Sequence, residues 1–185
     1  MKKYFTLLVS VIIFVSCGKN NEVSTIKKNN YSVEIPTDLS ETKDLNDVAS
    51  LQYSNLFQEF YVIVIDEPKK DLVSVFKPFS NQSNNLDGYS ELLKINMATV
   101  LSKTDFSKIP AKQINGMRAK VFSVETKIEN LDAYYKFGFF ESKTTYYQVM
   151  IWTLLDKKKE HEPEMLKIIE SFRETNANRE AKVKN

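Results

Sequence analysis

The sequence predicts an α+β domain in which an antiparallel β-sheet is packed by two amphipathic helices. Three features predict it: short apolar runs typical of strands, two segments with apolar side chains at helical spacing, and turn residues between the later runs. The order is strands, a helix, a meander of strands and a second helix, which favours antiparallel pairing with helices on the faces. A length of 185 residues suits one domain rather than two.

The first strands are predicted from their alternation. Tyr31–Ile35 alternates apolar and polar residues before Pro36, and Ser50–Ser54 alternates again. The polar residues 37–48 between them are ambiguous, and a short strand with a loop is one interpretation. Phe60–Ile65 is a run of six apolar residues, which is typical of a central strand covered on both faces.

Two segments predict helices. Apolar residues recur at helical spacing over residues 87–101, with Asp87 as the expected N-cap. A last helix is expected over Pro163–Arg173, because Pro163 suits a first helical turn. Glu162 and Glu164 suit the positive end of that helix dipole.

A strand meander is expected between the two helices. Asn115-Gly116 indicates a hairpin turn, because both residues tolerate positive φ. The outgoing strand continues over residues 119–125, and Asn130–Asp132 is the next expected turn. Further strands are expected over residues 133–140 and 145–155.

The start of the chain resembles a bacterial lipoprotein signal. Two lysines precede the largely apolar run Tyr4–Val15, whose 12 residues are too few to cross a bilayer, since crossing needs about 20 residues. The run ends in Val15-Ser16-Cys17, which resembles the lipobox, with Phe14 where Leu is usual. The resemblance implies cleavage after residue 16 and acyl chains on Cys17, which would hold a domain on a membrane. An ordinary secretory signal is the alternative.

The segments flanking the domain are polar. Residues 17–30 are predicted to be the acylated cysteine and a flexible tether, residues 31–174 the folded domain, and residues 175–185 a polar tail. Gly18 directly after the cysteine resembles outer-membrane sorting in enteric bacteria. Surface-exported lipoproteins often carry an acidic cluster here, whereas this segment has only Glu22. An outer-membrane location facing the periplasm is therefore expected.

The composition argues against several classes of function. Without Lys2 and Lys3 of the leader, the 26 basic residues become 24, equal to the 24 acidic ones, and nucleic acid is not expected as a partner. One cysteine and one histidine exclude intrachain disulfides and metal centres built from several thiolates or imidazoles. No cofactor and no metal are expected.

The sequence offers two weak candidates for a chemical site. His161 has acidic neighbours, but adjacent residues point in different directions, so a solvated helix N-terminus is the favoured interpretation. Asp66 and Glu67 end the central strand and face opposite sides of it, so a polar strand exit is favoured. With no Gly-x-Ser-x-Gly sequence present, no catalytic residues and no enzyme activity are expected.

Several short motifs together resemble the PsbP-like fold. They are Tyr-Ser-Val-Glu-Ile-Pro at 31–36, the long amphipathic helix, Ile114-Asn115-Gly116 before the meander, Tyr146-Tyr147-Gln148-Val149, and the helix end at 168–172. This group includes the PsbP extrinsic proteins of photosystem II and the DcrB-like bacterial lipoproteins. The resemblance covers residues 31–173. It implies an antiparallel sheet with helices on its faces, and a binding or assembly role without shared catalytic residues.

Aromatic side chains are concentrated in two neighbouring strands of the meander. Alternation places Tyr135, Phe137 and Phe139 on one face of the sheet, and Tyr134 and Phe140 on the other. Core packing explains most of these rings, and any exposed rings would form a partner surface. The residues predicted for that surface are Tyr135, Phe137, Phe139 and Tyr146.

These observations favour a membrane-anchored lipoprotein that acts as a non-catalytic binding or accessory subunit in the bacterial cell envelope. Its expected partners are the lipid bilayer, through acylated Cys17, and an envelope protein. Two alternatives stay open. One is an immunity lipoprotein that neutralises a toxin, and the other is a protein that binds a small hydrophobic ligand between sheet and helix.

Overall fold

The computed structural model describes residues 22–28, 30–76 and 83–175. The predicted signal peptide, Cys17, residues 18–21 of the predicted tether and residues 176–185 of the predicted tail lie outside the described residues.

Over the described ranges the chain forms ten strands and four α-helices. The strands are β1 (Val23–Lys27), β2 (Tyr31–Pro36), β3 (Ser40–Glu41), β4 (Leu51–Asn55), β5 (Phe60–Pro68), β6 (Lys112–Ile114), β7 (Met117–Ile128), β8 (Leu131–Glu141), β9 (Thr145–Leu154) and β10 (Arg173–Glu174). The helices are α1 (Lys69–Phe76), α2 (Leu86–Asn96), α3 (Ala98–Leu101) and α4 (Lys158–Ser171).

Seven of the described strands form one antiparallel sheet in the order β3-β4-β5-β9-β8-β7-β6. Alternate residues of β5 enter the apolar clusters on its two sides: Val62 and Val64 lie in one and Ile63 in the other. The prediction of a central strand covered on both faces is confirmed.

The two faces of this sheet carry separate apolar cores. On the α4 face, Tyr134 and Phe140 pack with residues of α4 and β2. On the α2 face, Phe137 and Phe139 pack with residues of α2. The predicted separation of these rings is confirmed, and so is the α+β fold with an antiparallel sheet packed by two amphipathic helices.

The other three described strands form a small sheet in the order β1-β2-β10. β1 pairs antiparallel with β2 from Val23 opposite Pro36 to Lys27 opposite Ser32. Residues 23–27 were expected to belong to a flexible tether, and this is wrong. The side chains of β1 are exposed except for half-buried Ile26. Backbone pairing with β2 therefore holds the strand, and such pairing leaves no apolar pattern in the sequence.

Both predicted helices begin elsewhere than expected. Asn85, not Asp87, caps α2, because its Oδ1 accepts hydrogen bonds of 3.1 Å from the backbone nitrogens of Asp87 and Gly88. The segment predicted as one helix over residues 87–101 is interrupted at Met97. α4 starts five residues before Pro163, which lies inside the helix.

The hairpin turns follow the predicted chemistry with one shift. Asn115 and Gly116 have φ angles of 49° and 83°, as the hairpin signal requires. The next turn is formed by Glu129 and Asn130, and β8 already begins at Leu131, where the turn was expected to continue. Glu129 adopts a φ of 54°.

Candidate functional site

Three of the four residues predicted for a partner surface are buried. Phe137, Phe139 and Tyr146 are 0% exposed, because residues of α2 cover this part of the sheet. The ring of Tyr146 stacks on Tyr89 of α2 with a centroid separation of 4.2 Å. The prediction is therefore corrected for these three rings, and only Tyr135 is partly exposed.

Tyr135 belongs to a row of rings that crosses three neighbouring strands. Trp152 of β9 lies opposite Tyr135 of β8 on one side and Tyr61 of β5 on the other. The ring centroids of Tyr61 and Trp152 are 5.2 Å apart at an interplanar angle of 12°, and those of Trp152 and Tyr135 are 5.9 Å apart at 20°. All three side chains are partly exposed. We name Tyr61, Trp152 and Tyr135 the aromatic strip.

The aromatic strip rests on the core of the α2 face. Tyr135 stacks on buried Phe137 with a centroid separation of 5.7 Å and an angle of 11°. Val124 of β7 lies opposite Tyr135 and is also partly buried. Because the three rings stack on one another, and Tyr135 and Trp152 also pack against this core, the strip presents a rigid apolar surface.

The hydroxyl groups of the strip stay protonated at neutral pH. The Tyr61 hydroxyl donates a hydrogen bond of 2.8 Å to Glu59 Oε2. Burial, together with this carboxylate, raises the pKa of Tyr61 to about 12. Burial also raises the pKa of Tyr135. The side chains of the strip are therefore uncharged, and the Tyr61 hydroxyl is already engaged by Glu59.

A surface cavity of about 480 Å³ lies where β8 begins and β9 ends, next to the aromatic strip. Leu154 lies opposite Ala133, two residues along each strand from Trp152 and Tyr135. Leu131, which is 61% exposed, extends the same face of β8 towards its start. The residues that line the cavity are Asn130, Leu131, Asp132, Leu154, Leu155 and Asp156.

The sequence prediction did not place Tyr61 or Trp152 on this surface. Tyr61 lies in the apolar run that is expected to be buried on both faces, and Trp152 lies in the expected strand over residues 145–155, where the sequence analysis assigns it no face. Their position near the ends of their strands is a signal that could have found them. A short helix packed on the middle of the sheet does not cover side chains at the strand ends. α2 has 11 residues, or about 16 Å of length.

His161 lies in the core rather than in solvent. It is 1% exposed, its ring stacks on Phe60 at 4.8 Å, and its Nε2 lies 3.1 Å from the Gln58 carbonyl oxygen. The expected solvated helix N-terminus is wrong, because α4 begins earlier and its first turns pack on β5. Within residues 22–28, 30–76 and 83–175, no group of three or more His, Cys, Asp or Glu side chains could hold a metal ion.

Glu67 is held in a largely buried polar network on the α2 face. Its Oε2 accepts hydrogen bonds from the Tyr89 hydroxyl and from Gln148 Nε2, the latter at 2.9 Å. Burial and the Glu67 carboxylate raise the pKa of Tyr89 well above its usual value. These groups satisfy one another, which is the arrangement expected of a structural network.

A second charged cluster lies at the start of α2. Lys120 is 3% exposed, and its Nζ donates to the Phe106 carbonyl oxygen at 2.7 Å and pairs with Asp87 Oδ1 at 2.9 Å. Arg118 also binds Asp87, at 2.8 Å. The hydrogen bond from Lys120, reinforced by Arg118, holds the pKa of Asp87 below its usual range against the opposing effect of burial.

Solved structures share this architecture at low sequence identity. CyanoP, the cyanobacterial PsbP from Synechocystis sp. PCC 6803, is 12% identical, with a TM-score of 0.54 over 88% of this chain and 99% of that chain. The fold is PsbP-like. LpqN of Mycobacterium tuberculosis, described as involved in cell envelope biogenesis, is 8% identical, with a TM-score of 0.50 over 84% of this chain and 91% of its own.

A third solved structure, from Bacteroides thetaiotaomicron, is a larger chain. It is 11% identical and aligns with 79% of this chain at a TM-score of 0.48, and this chain spans 45% of its length. No family model and no curated protein sequence matches the chain. The PsbP-like fold expected from the sequence motifs is confirmed by CyanoP and LpqN.

Proposed function

We propose that this protein is a lipid-anchored, non-catalytic accessory subunit of the bacterial cell envelope that binds a protein partner through the aromatic strip. The observation that carries the proposal is the stacked, partly exposed row of Tyr61, Trp152 and Tyr135. Tyrosine and tryptophan are enriched in protein interfaces, because they bury a large area at a small entropy cost.

The surroundings of the strip support protein binding rather than chemistry. Leu131 and Leu154 extend its apolar surface at the end of the sheet. The polar groups of the two clusters described above, around Glu67 and Lys120, are occupied by hydrogen bonds within the fold. Phe137 and Phe139 fill the space between the sheet and α2, so nothing observed there favours a small hydrophobic ligand.

The anchoring part of the proposal rests on the lipobox-like sequence that ends at Cys17. Over the described residues, no helix is long and apolar enough to cross a bilayer. LpqN, which shares the fold, is described as involved in cell envelope biogenesis, and this supports an envelope role. An outer-membrane location facing the periplasm completes the proposal.

Site-specific photocrosslinking in native membranes tests the strip. A photoreactive aromatic amino acid at Trp152 of the full chain should capture one envelope protein in reproducible yield. Tyr135→Ala in the same chain should reduce that yield, because it removes the neighbouring ring. The matched control carries the crosslinker at Val73, which is 47% exposed in α1, beyond the opposite end of β5.

Each outcome of this experiment has a distinct meaning. A product formed from Trp152, absent from Val73 and dependent on Tyr135 supports a partner at the aromatic strip. A product identified as a secreted toxin would replace the accessory role by immunity. Equal products from both positions, or none from Trp152, would contradict the assignment of the strip as the binding surface.

A further inference from the structure

The turn between β4 and β5 exposes two large apolar side chains side by side. Phe57 is 97% exposed and Leu56 is 69% exposed. We name these two residues the Phe57 tip. Single exposed apolar residues are common on protein surfaces. An adjacent pair of large apolar side chains at the end of a hairpin instead indicates a contact with a partner or a membrane.

The Phe57 tip is a defined turn held by hydrogen bonds. The backbone nitrogens of Phe57 and Gln58 donate to Asn55 Oδ1 at 3.1 Å and 3.2 Å. Lys157 Nζ donates to the Phe57 carbonyl oxygen at 3.4 Å. Because the backbone is fixed on both sides, the turn holds the two exposed side chains away from the domain and has little backbone entropy left to lose.

The tip lies at the end of the molecule where the chain enters the fold. The backbone nitrogen of Thr37 donates to the Glu22 carbonyl oxygen at 2.9 Å. The next residue, Asp38, accepts hydrogen bonds of 3.0 Å from Asn55 Nδ2 and from Gln58 Nε2. These contacts join Glu22 to the turn that carries the tip, and we name this the proximal end.

The tether between Cys17 and the fold is short. Because β1 already begins at Val23, only residues 18–21 separate Cys17 from Glu22. Five peptide steps span at most about 18 Å between the two Cα atoms. If acyl chains hold Cys17 at the bilayer surface, the proximal end stays within that distance of the lipid headgroups.

We propose that Leu56 and Phe57 insert into the interfacial region of the bilayer to which Cys17 is anchored. The proposal rests on the lipid anchoring proposed above and adds a fixed orientation to it, with the proximal end towards the lipid. Aromatic side chains favour the headgroup boundary of bilayers, and leucine favours its apolar side.

Charges near the tip are mixed. Lys157, Lys158 and Lys159 lie close in sequence to Asp156 and Glu160 at the start of α4. Lys158 is paired with Glu125 at 2.7 Å, and Asp38 and Glu59 flank the turn itself. Such a surface has no excess of positive charge to attract anionic lipids. Insertion therefore depends on the apolar side chains, and vesicles of neutral phosphatidylcholine suffice for the test.

Fluorescence quenching in vesicles tests the insertion. Trp152 is the only tryptophan of the sequence, so a Trp152→Phe variant has no tryptophan fluorescence of its own. In that background Phe57→Trp places one reporter at the tip, and Val73→Trp places a matched reporter at the distant α1. The full chain, made with its own signal sequence, is reconstituted into phosphatidylcholine vesicles with and without bromine on the acyl chains.

The Phe57→Trp emission should shift to shorter wavelength on reconstitution and lose intensity with brominated lipid, whereas Val73→Trp should do neither. A blue shift without quenching by bromine would indicate a protein contact at the tip and overturn the proposal. Flotation of the vesicles and the mass of the Cys17 peptide are measured on the same samples.

Those two measurements separate the insertion from the anchoring. If the protein floats with acylated Cys17 while Phe57→Trp is not quenched, insertion is wrong and anchoring stands. If Cys17 carries no acyl chains and the protein does not float, both proposals are overturned. Phe57 is almost fully exposed, so its replacement leaves the core intact.

Discussion

Lys120 is a buried cation whose partners come from two different elements. Its Nζ binds the Phe106 carbonyl oxygen and the carboxylate of Asp87, and only 3% of the residue is exposed. Removing one partner of such a group leaves a poorly solvated charge, whereas replacing the lysine by an apolar residue of similar shape avoids it. Replacing Asp87 and replacing Lys120 are therefore expected to lower the free energy of unfolding by different amounts.

Asp87→Asn should destabilise the protein at neutral pH by about 1 kcal/mol, because solvent screens the half-exposed carboxylate, and Lys120→Met should cost less. The pKa of Asp87 is lowered in the fold from its usual 3.8, so its stabilisation is present above that value and is lost as the pH falls through the lowered pKa. Urea unfolding at pH 7 and about pH 3 checks this. The difference in the free energy of unfolding between wild type and Asp87→Asn should be smaller in acid than at pH 7. An equal difference at both pH values would contradict the ion pair between Asp87 and Lys120.

At the scale of elements, the approach of α4 to the sheet depends on Gly138. A Cβ atom at this position would lie 2.8 Å from Ile169 Cγ2 of α4 and 2.7 Å from Phe140 Cε2. Such contacts are closer than carbon atoms tolerate, and both neighbours lie in the core. The helix or the Phe140 ring must therefore shift when a methyl group is added.

Gly138→Ala should lower the free energy of unfolding by about 1–3 kcal/mol, the usual cost of overpacking a core. In an Ile169→Ala background the same change should cost less, because the Cγ2 atom is gone. A double-mutant cycle of urea midpoints measures this coupling. If the two substitutions change the free energy of unfolding additively, Gly138 is not required for close packing against Ile169 of α4.

Elements with buried side chains could be predicted from the sequence, and elements held by other forces could not. β2, β5, α2 and the Asn115-Gly116 turn carry apolar periodicity or turn chemistry, and all are present. β1 shows no such pattern, because it pairs through its backbone. The early start of α4 follows from packing of His161 on Phe60, a contact between residues 101 positions apart in the sequence.

The candidate site was predictable only in part. Alternation correctly assigned Tyr135, Phe137 and Phe139 to one face of β8, but it does not show how far a helix reaches along that face. The position of α2 therefore decides which rings are buried. Tyr61 and Trp152 join Tyr135 only through the registers of β5, β9 and β8, which are long-range properties of the sheet.

At the scale of the whole molecule, two cores on one sheet give a domain with two distinct ends. The proximal end carries the first described residue, Glu22, and the Phe57 tip, and the end of β9 brings the aromatic strip towards the same side. α1 lies beyond the opposite end of β5. With the tip at the bilayer, a partner on the aromatic strip would be bound close to the membrane.

Acylation of Cys17 is the claim on which this orientation depends, and the mass of the N-terminal peptide tests it most directly. Protein isolated from the membrane fraction of its own cells should lack residues 1–16 and begin with an acylated Cys17, and Cys17→Ser should abolish both the acyl mass and the membrane association. An unmodified Cys17 in a protein recovered outside the membrane fraction would contradict the account.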